Sequence, residues 1–158
     1  MPEAVLPIVS ILSLIIFKIK DREYQYAISA RIAMSIMLIT AGIAHFVFCK
    51  GMSLMLPDFI PYKEEIVYGT GVLEMLAAIG ILIPKYQKTI GWLLIVFFIL
   101  ILPANILAAS KGLNLKNATY DGNGINYLWY RIPLQIVFIL WVYFSCIKTY
   151  IKKDLKQY

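Results

Sequence analysis

The sequence has few charged residues, cysteines and histidines. Asp, Glu, Lys and Arg make up 15% of the chain, and it holds two cysteines and one histidine. Set against a hydrophobic content of 61%, this leaves too few polar side chains to cover the surface of a water-soluble domain. Cys49 and Cys146 form neither a disulfide framework nor a metal-binding pattern. We expect them to pack as small apolar side chains, and we expect no metal site.

Long apolar runs occupy most of the chain. Four of them are long enough to cross a hydrocarbon layer that needs about 20 helical residues. They are Ala27–Cys49, Glu65–Ile83, Thr89–Ser110 and Ile125–Ile147. Lipid offers no partners to backbone groups, so a crossing segment must be helical. The sequence therefore predicts an all-α, membrane-spanning four-helix bundle as one domain over residues 27–158, ending in a short basic tail.

A shorter apolar run, Ala4–Phe17, precedes the four long ones. Glu3 stands before it in place of the basic residues that a secretory signal peptide needs. Lys18 and Lys20 follow and could snorkel to the membrane surface, which would compensate for its short length. We predict an additional N-terminal transmembrane or signal-anchor helix within residues 1–26. Cleavage of this segment, or a position at the membrane interface, stays open.

The net charge of +6 comes from 15 Lys and Arg residues against 9 Asp and Glu. The basic residues lie mainly between the apolar runs, which indicates a topology signal and no nucleic-acid partner. With five spans, ten basic residues fall on the face of the C-terminal tail and four on the other. The excess of positive charge on the cytoplasmic side predicts that the N-terminus is outside and the C-terminus cytoplasmic.

Five polar side chains lie within the predicted spans, and they are the candidate ligand-binding residues: His45, Glu74, Asn105, Arg131 and Gln135. Polar groups are costly inside a bilayer and often mark functional sites. At a rise of about 1.5 Å per residue, all five lie about 6–15 Å below the outer membrane surface. Such agreement in depth predicts that they converge on one interior site.

Glu74 and Arg131 carry opposite charges at membrane depth, so we expect an ion pair or a shared hydrogen-bond network. One interpretation of this pair is purely structural. The other is that Glu74 and His45 exchange protons with a bound redox or carbonyl compound while Arg131 holds its oxygen. Small residues around Glu74, such as Gly71 and Ala78, predict that the third segment is the central helix of the bundle.

Two prolines fall within the predicted spans. Pro103 removes one backbone N–H from the fourth segment and frees a carbonyl about one turn earlier, which a polar side chain or a ligand could engage. Pro133 either kinks the last helix or begins it. In the second case Arg131 would lie at the membrane interface.

An ordered set of motifs covers about residues 31–143: AGIAHF, MLPDFIP, YGTGVLEMLAAIGILIP, LPANILAA and YRIPLQIVFILW. In this order, and with the Pro103–Asn105 triplet and the R-x-P-x-Q pattern of Arg131 to Gln135, the chain resembles the DoxX family of small bacterial and archaeal membrane proteins. The resemblance implies a four-helix bundle in the bacterial inner membrane. Some members are membrane subunits of redox systems, including a thiosulfate:quinone oxidoreductase, and many have no assigned activity.

Three functions are compatible with these observations. The leading hypothesis is an accessory membrane subunit, as in an oxidoreductase, that binds a quinone-like or other small apolar molecule or a redox partner protein through the polar cluster. The first alternative is a structural scaffold without ligand, and the second is a membrane enzyme acting on a small lipophile. The chain has no haem-type pair of histidines and no nucleotide-binding loop, which argues against autonomous catalysis. Any quinone would act through a partner complex, and a homo-oligomer is compatible with the sequence.

Overall fold

The computed structural model describes residues 4–21 and 25–149, and these residues form helices joined by short loops. The helices are α1 (Val5–Asp21), α2 (Tyr26–Val47), α3 (Cys49–Ser53), α4 (Lys63–Gly80), α5 (Gln87–Ser110) and α6 (Asn126–Val142), which continues as a π-helical segment, Tyr143–Lys148. The described ranges contain no β-strand, only an isolated bridge between Asn114 and Thr119. The all-α prediction is therefore confirmed. Part of the predicted basic connection, 22–24, and the basic tail, 150–158, lie outside the described residues.

Three helices are long and apolar enough to cross a membrane: α2, α5, and α6 with its π-helical continuation. α4 has 18 residues, and four of them are charged: Lys63, Glu64, Glu65 and Glu74. The apolar part of α1, Val5–Ile19, is shorter than a membrane span. The protein is thus an all-helical membrane protein with three candidate spans, and crossings by α4 and α1 stay predictions.

The helix ends follow the signals in the sequence. Pro57, Pro61 and Pro84 all lie between helices. α5 ends in a Schellman motif, in which the Gly112 N–H donates to the Ala109 carbonyl at 3.0 Å and the Leu113 N–H donates to the Ala108 carbonyl at 2.9 Å. Gly112 has a φ of +60°, a conformation that costs glycine little. This cap ends α5 where the polar loop before α6 begins.

α2 is the central helix. It packs against α1, α4, α6 and the π-helical segment, whereas α4 packs mainly against α2 and α3. Met34 and Leu38 of α2 are fully buried beside Ile81, Val142 and Ile147. The prediction that the segment around Glu74, Glu65–Ile83, is central is therefore wrong.

α4 buries only a narrow stripe, and this explains its peripheral position. The stripe consists of Val67, Gly71, Glu74 and Ala78, one residue per turn on one face. The small residue Gly71 permits a close approach to α2, and Gly80 at the end of the helix packs against Ile90 of α5. A methyl group built at Gly71 would lie 2.8 Å from Cβ of His45 and 3.0 Å from the carbonyl oxygen of Gly42. The backbones of α2 and α4 are therefore in contact at these two glycines.

The outward faces of the helices are apolar. Each long helix exposes several large aliphatic side chains, including Ile16 on α1, Ile43 on α2, Leu76 on α4, Leu100 on α5 and Ile136 on α6. A soluble monomer rarely exposes contiguous apolar surface of this extent. Contact with a lipid bilayer accounts for these faces. Cys49 and Cys146 are buried and unpaired, as expected from the sequence.

Candidate functional site

A small cavity lies between α2, α4, α5 and α6. Four of the five sequence-predicted residues line it: Glu74, Asn105, Arg131 and Gln135. The other lining residues are apolar or small: Met37, Leu38, Ala41, Phe98, Ile101, Leu134 and Phe138. The sequence predicts only that these residues lie at similar depths in the membrane. In the structure their side chains, which come from three separate helices, meet at one cavity.

His45 lies beside Glu74 but does not line the cavity. Its Nδ1 donates to the carbonyl of Ala41 at 2.9 Å and lies 3.5 Å from Oε2 of Glu74. Because the Nδ1 hydrogen points to Ala41, Glu74 Oε2 receives no hydrogen bond from it. Within the described residues this buried carboxylate oxygen has no hydrogen-bond partner, although Glu74 is only 5% exposed.

Asn105 and Gln135 form a hydrogen-bonded chain that ends on the backbone of α5. Gln135 Nε2 donates to the carbonyl of Phe98, so Gln135 Oε1 faces Asn105 and accepts from its Nδ2 at 3.3 Å. The Phe98 carbonyl cannot donate, so it sets the orientation of both amides. With the amides in these orientations, Asn105 Oδ1 has no hydrogen-bond partner in the described part of the chain, although Asn105 is only 2% exposed.

Pro103 accounts for the position of this chain. It has no N–H to donate to the carbonyl of Ile99, and it lies inside α5. The adjacent carbonyl, that of Phe98, accepts from Gln135 one turn before the proline. A polar side chain therefore engages the carbonyl next to the one that the proline frees, and engagement of the Ile99 carbonyl itself stays a prediction.

Arg131 lies within α6, because the helix begins at Asn126 and Pro133 is in its interior. Its guanidinium carbon is 5.8 Å from the centre of the Tyr127 ring, a cation–π contact one turn earlier. Glu74 and Arg131 line the same cavity, but no direct ion pair joins them among the described residues, where the basic side chain beside the Glu74 carboxylate is His45, at 3.5 Å. The direct ion pair, one of the two expected arrangements, is therefore not formed, and the shared hydrogen-bond network stays a prediction.

The cavity volume limits what the site can enclose. It is about 80 Å³. Benzene occupies an engineered protein cavity of about 150 Å³, and one water takes about 30 Å³ of liquid volume. The enclosed space therefore fits two or three waters or the head group of a small molecule. A complete quinone ring is larger than this volume, so part of it would lie outside the cavity.

A second polar network joins α2, α5 and the π-helical segment at the helix ends that lie away from the cavity. It was not predicted from the sequence. Arg31, which is buried near the start of α2, donates from Nη1 to Oε1 of Gln87 and from Nε to the carbonyl of Ala27 at 3.2 Å. Gln87 Nε2 donates to the carbonyl of Cys146 at 2.8 Å. An arginine near a helix end usually reaches the membrane surface, so the position of Arg31 in the sequence did not indicate that it is buried. The network supplies a hydrogen bond to a carbonyl of the π-helical segment.

A larger groove of about 540 Å³ lies between α1, the start of α2, and α6. Its walls include Leu14, Ala30, Leu140, Trp141 and Phe144. Trp141 Nε1 donates to the carbonyl of Ala30 at 2.9 Å, and this bond joins α6 to α2. The groove offers apolar surface and little unpaired polarity, so it resembles a lipid-filled crevice more than a binding site for a polar group.

These features define a class: an all-helical membrane protein with a small polar cavity between its long helices. The chain belongs to the family described as Domain of unknown function (DUF8561), whose model matches residues 34–146. No curated protein and no solved structure matches the chain. The matched region includes all five predicted site residues and excludes α1. Within the described residues, no group of three or more His, Cys, Asp and Glu side chains could hold a metal ion.

Proposed function

We propose that the chain is an accessory integral membrane protein in which α2, α4, α5 and α6 cross the bilayer as a four-helix bundle and α1 forms an extra span. In this arrangement the N-terminus is outside, the C-terminus is cytoplasmic, and the polar cavity lies in the outer half of the membrane. The apolar outward face of α4, with Val72, Leu73, Leu76 and Ile79 exposed, supports its crossing. The ordered motifs of the DoxX family support a relationship with that family and with the bacterial inner membrane.

The cavity is the proposed ligand site. The observation that carries this proposal is the pair of buried acceptors, Glu74 Oε2 and Asn105 Oδ1, which belong to two residues on the wall of one cavity and have no hydrogen-bond partner among the described residues. An unpaired buried polar atom costs about 1–3 kcal/mol, so a bound molecule that pairs with both would stabilise the protein. Arg131 at the same cavity supplies hydrogen-bond donors.

A structural role without ligand is the second candidate, and the small volume of the cavity favours it. In that case waters pair with Glu74 and Asn105, and the Gln135 bond to Phe98 fixes the contact of α6 with α5. The exposed apolar faces would then bind another membrane protein or a second copy of the chain.

Native mass spectrometry of the protein released from mild detergent distinguishes the two functions. A ligand site predicts a copurified small molecule that is lost in Glu74→Gln and Arg131→Gln. Glu65→Gln, which changes an exposed glutamate of the same helix, and Lys116→Gln, in an exposed loop, are the matched controls and should keep it. Retention of the molecule in both site variants, or its absence from the wild type, would favour the structural role.

A further inference from the structure

We infer that the occupant of the cavity is the hydroxyl group of a small lipophile, which donates to Glu74 or Asn105 and accepts from Arg131. The inference rests on the proposed ligand site and adds the chemical class of its ligand. It follows from counting the donors and acceptors that the cavity leaves unused, and from the polarity and size of its walls.

Of the two unpaired oxygens, Asn105 Oδ1 can only accept a hydrogen bond, and Glu74 Oε2 accepts one in the ionised carboxylate. Glu74 Oε2 cannot use the hydrogen of His45 Nδ1, which the Ala41 carbonyl takes, and Asn105 Oδ1 is left over because the amide donates to Gln135. A ligand that complements them must therefore bring a hydrogen-bond donor. A ketone, an ether or an aprotic quinone offers only acceptors and would leave Asn105 Oδ1 unpaired.

Arg131, the third polar residue considered in the cavity, restricts the chemistry of the ligand's donor group further. Arg131 lines the same cavity with a permanent positive charge, and its guanidinium has only donors. An ammonium head also has only donors, so it could not accept a hydrogen bond from the guanidinium. A hydroxyl group can donate to a carboxylate or amide oxygen and at the same time accept from a guanidinium, so it satisfies both requirements.

The walls and the volume indicate what the hydroxyl is attached to. Ile101, Leu134 and Phe138 are half-buried apolar residues at the edge of the cavity. The enclosed volume of about 80 Å³ admits a head of a few heavy atoms. The remainder of the ligand must lie along these apolar side chains. A primary alcohol or a phenol with an apolar body has this form, and so does the free hydroxymethyl group of a diacylglycerol.

The test uses the wild-type protein in phosphatidylcholine nanodiscs and three photoreactive probes: a medium-chain primary alcohol with a diazirine in its chain, the methyl ether of that alcohol, and the parent alkane. Labelling is measured by intact mass and mapped to peptides. We expect saturable labelling by the alcohol at residues around the cavity, and about tenfold weaker labelling by the ether, because the ether leaves the acceptors unpaired. The alkane should label only lipid-facing side chains without saturation.

Glu74→Gln supplies a second arm, since its amide can donate as well as accept. We expect the alcohol-to-ether ratio to fall several-fold, while Glu65→Gln retains the wild-type ratio. Equal saturable labelling by alcohol and ether in the wild type would overturn the hydroxyl assignment but keep the ligand site. Absence of saturable labelling by any probe would overturn both. Competition by diacylglycerol in the nanodisc would assign the hydroxyl to a membrane lipid, and its failure to compete would assign it to a free alcohol or phenol, with hydroxyl pairing supported in each case.

Discussion

Gln135 holds two helices together through a single side chain. Its amide accepts from Asn105 and donates to the Phe98 carbonyl, so α6 is tied to both the side chains and the backbone of α5. Such bonds are worth little when water can replace them, but water is scarce inside a membrane. The residue therefore specifies the rotation of α6 about its axis as well as lining the cavity.

Replacement of Gln135 by leucine should destabilise the protein by about 1–3 kcal/mol, because the Asn105 amide and the Phe98 carbonyl both lose their partner. The free energy of unfolding can be measured by titrating reconstituted protein with a denaturing detergent. Ile136→Leu, at an exposed position beside it, is the control and should change stability by less than about 0.5 kcal/mol. Equal stability of the two variants would show that the hydrogen-bonded chain contributes nothing.

Asp58, in the loop between α3 and α4, forms ion pairs with two lysines. Lys63 Nζ donates to Asp58 Oδ1 at 2.9 Å, and Lys111 Nζ lies 4.0 Å from Oδ2. The hydrogen bond from Lys63, followed by the charges of Lys111 and Lys63, lowers the pKa of Asp58 below its usual value. The contribution to stability is therefore complete above the unfolded pKa of about 3.9 and is lost as the pH falls through the lowered folded value.

Asp58→Asn should lower the thermal stability slightly at neutral pH, since the pair is exposed and screened by solvent. The difference from wild type should disappear once the pH is well below about 4, where the carboxylate is protonated. Unfolding curves of the two proteins at neutral pH and at decreasing acid pH values measure this. Lys63→Met removes the main partner, so Asp58→Asn should have less effect in that background. A difference between wild type and Asp58→Asn that is independent of pH would contradict the assignment.

The contact between helices α2 and α4 depends on two glycines. Gly42 and Gly71 face each other, and a Cβ at either position would lie within 3.0 Å of the other's carbonyl oxygen. A methyl group at Gly69, two residues earlier on α4, would meet no neighbouring atom within 4 Å. The same helix thus offers a glycine that the packing requires and one that it does not.

Gly71→Ala should destabilise the protein by about 1–3 kcal/mol, because backbone atoms of α2 have to shift to admit the methyl group. Gly69→Ala should be neutral or stabilise by up to about 1 kcal/mol, since alanine has the higher helix propensity. Detergent-induced unfolding of both variants provides the comparison. Equal effects at the two positions would mean that α4 does not pack on α2 through Gly71. The same displacement should also separate Glu74 from His45.

The helices can be predicted closely from the sequence, and the partners of their polar residues cannot. The apolar runs end at prolines and charged loops, so the sequence predicts a span at Thr89–Ser110, and α5 lies at Gln87–Ser110. The convergence of Glu74, Asn105, Arg131 and Gln135 follows from their similar depths. Depth along an axis does not determine rotation about it, however.

The rotation of each helix about its axis, which the sequence does not determine, explains the wrong predictions. It is why the sequence pairs Glu74 with Arg131, although the basic side chain beside its carboxylate is His45 at 3.5 Å, and why it places α4 at the centre instead of α2. The buried Arg31–Gln87 bond escapes prediction for another reason, since a charge near a helix end usually reaches water. The cavity volume depends on side-chain packing across four helices and has no signal in the sequence.

At the scale of the whole molecule, the arrangement of the polar cavity depends on four membrane crossings. α2, α5, and α6 with its π-helical continuation are long and apolar enough to cross by themselves. α4 brings Glu74 to the cavity, and its three charged residues Lys63, Glu64 and Glu65 lie in its first turn, where they can reach the membrane surface. The site is intramembrane only if α4 crosses as well.

Cysteine accessibility tests these crossings most directly. In a background with Cys49→Ala and Cys146→Ala, single cysteines replace the exposed residues Asp58, Lys85, Lys116 and Lys148, and intact cells are treated with a membrane-impermeant maleimide. We predict that cysteines at 58 and 116 react from outside, whereas those at 85 and 148 react only after the membrane is permeabilised. Reaction of positions 58 and 85 from the same side would contradict a crossing by α4 and with it an intramembrane site at Glu74.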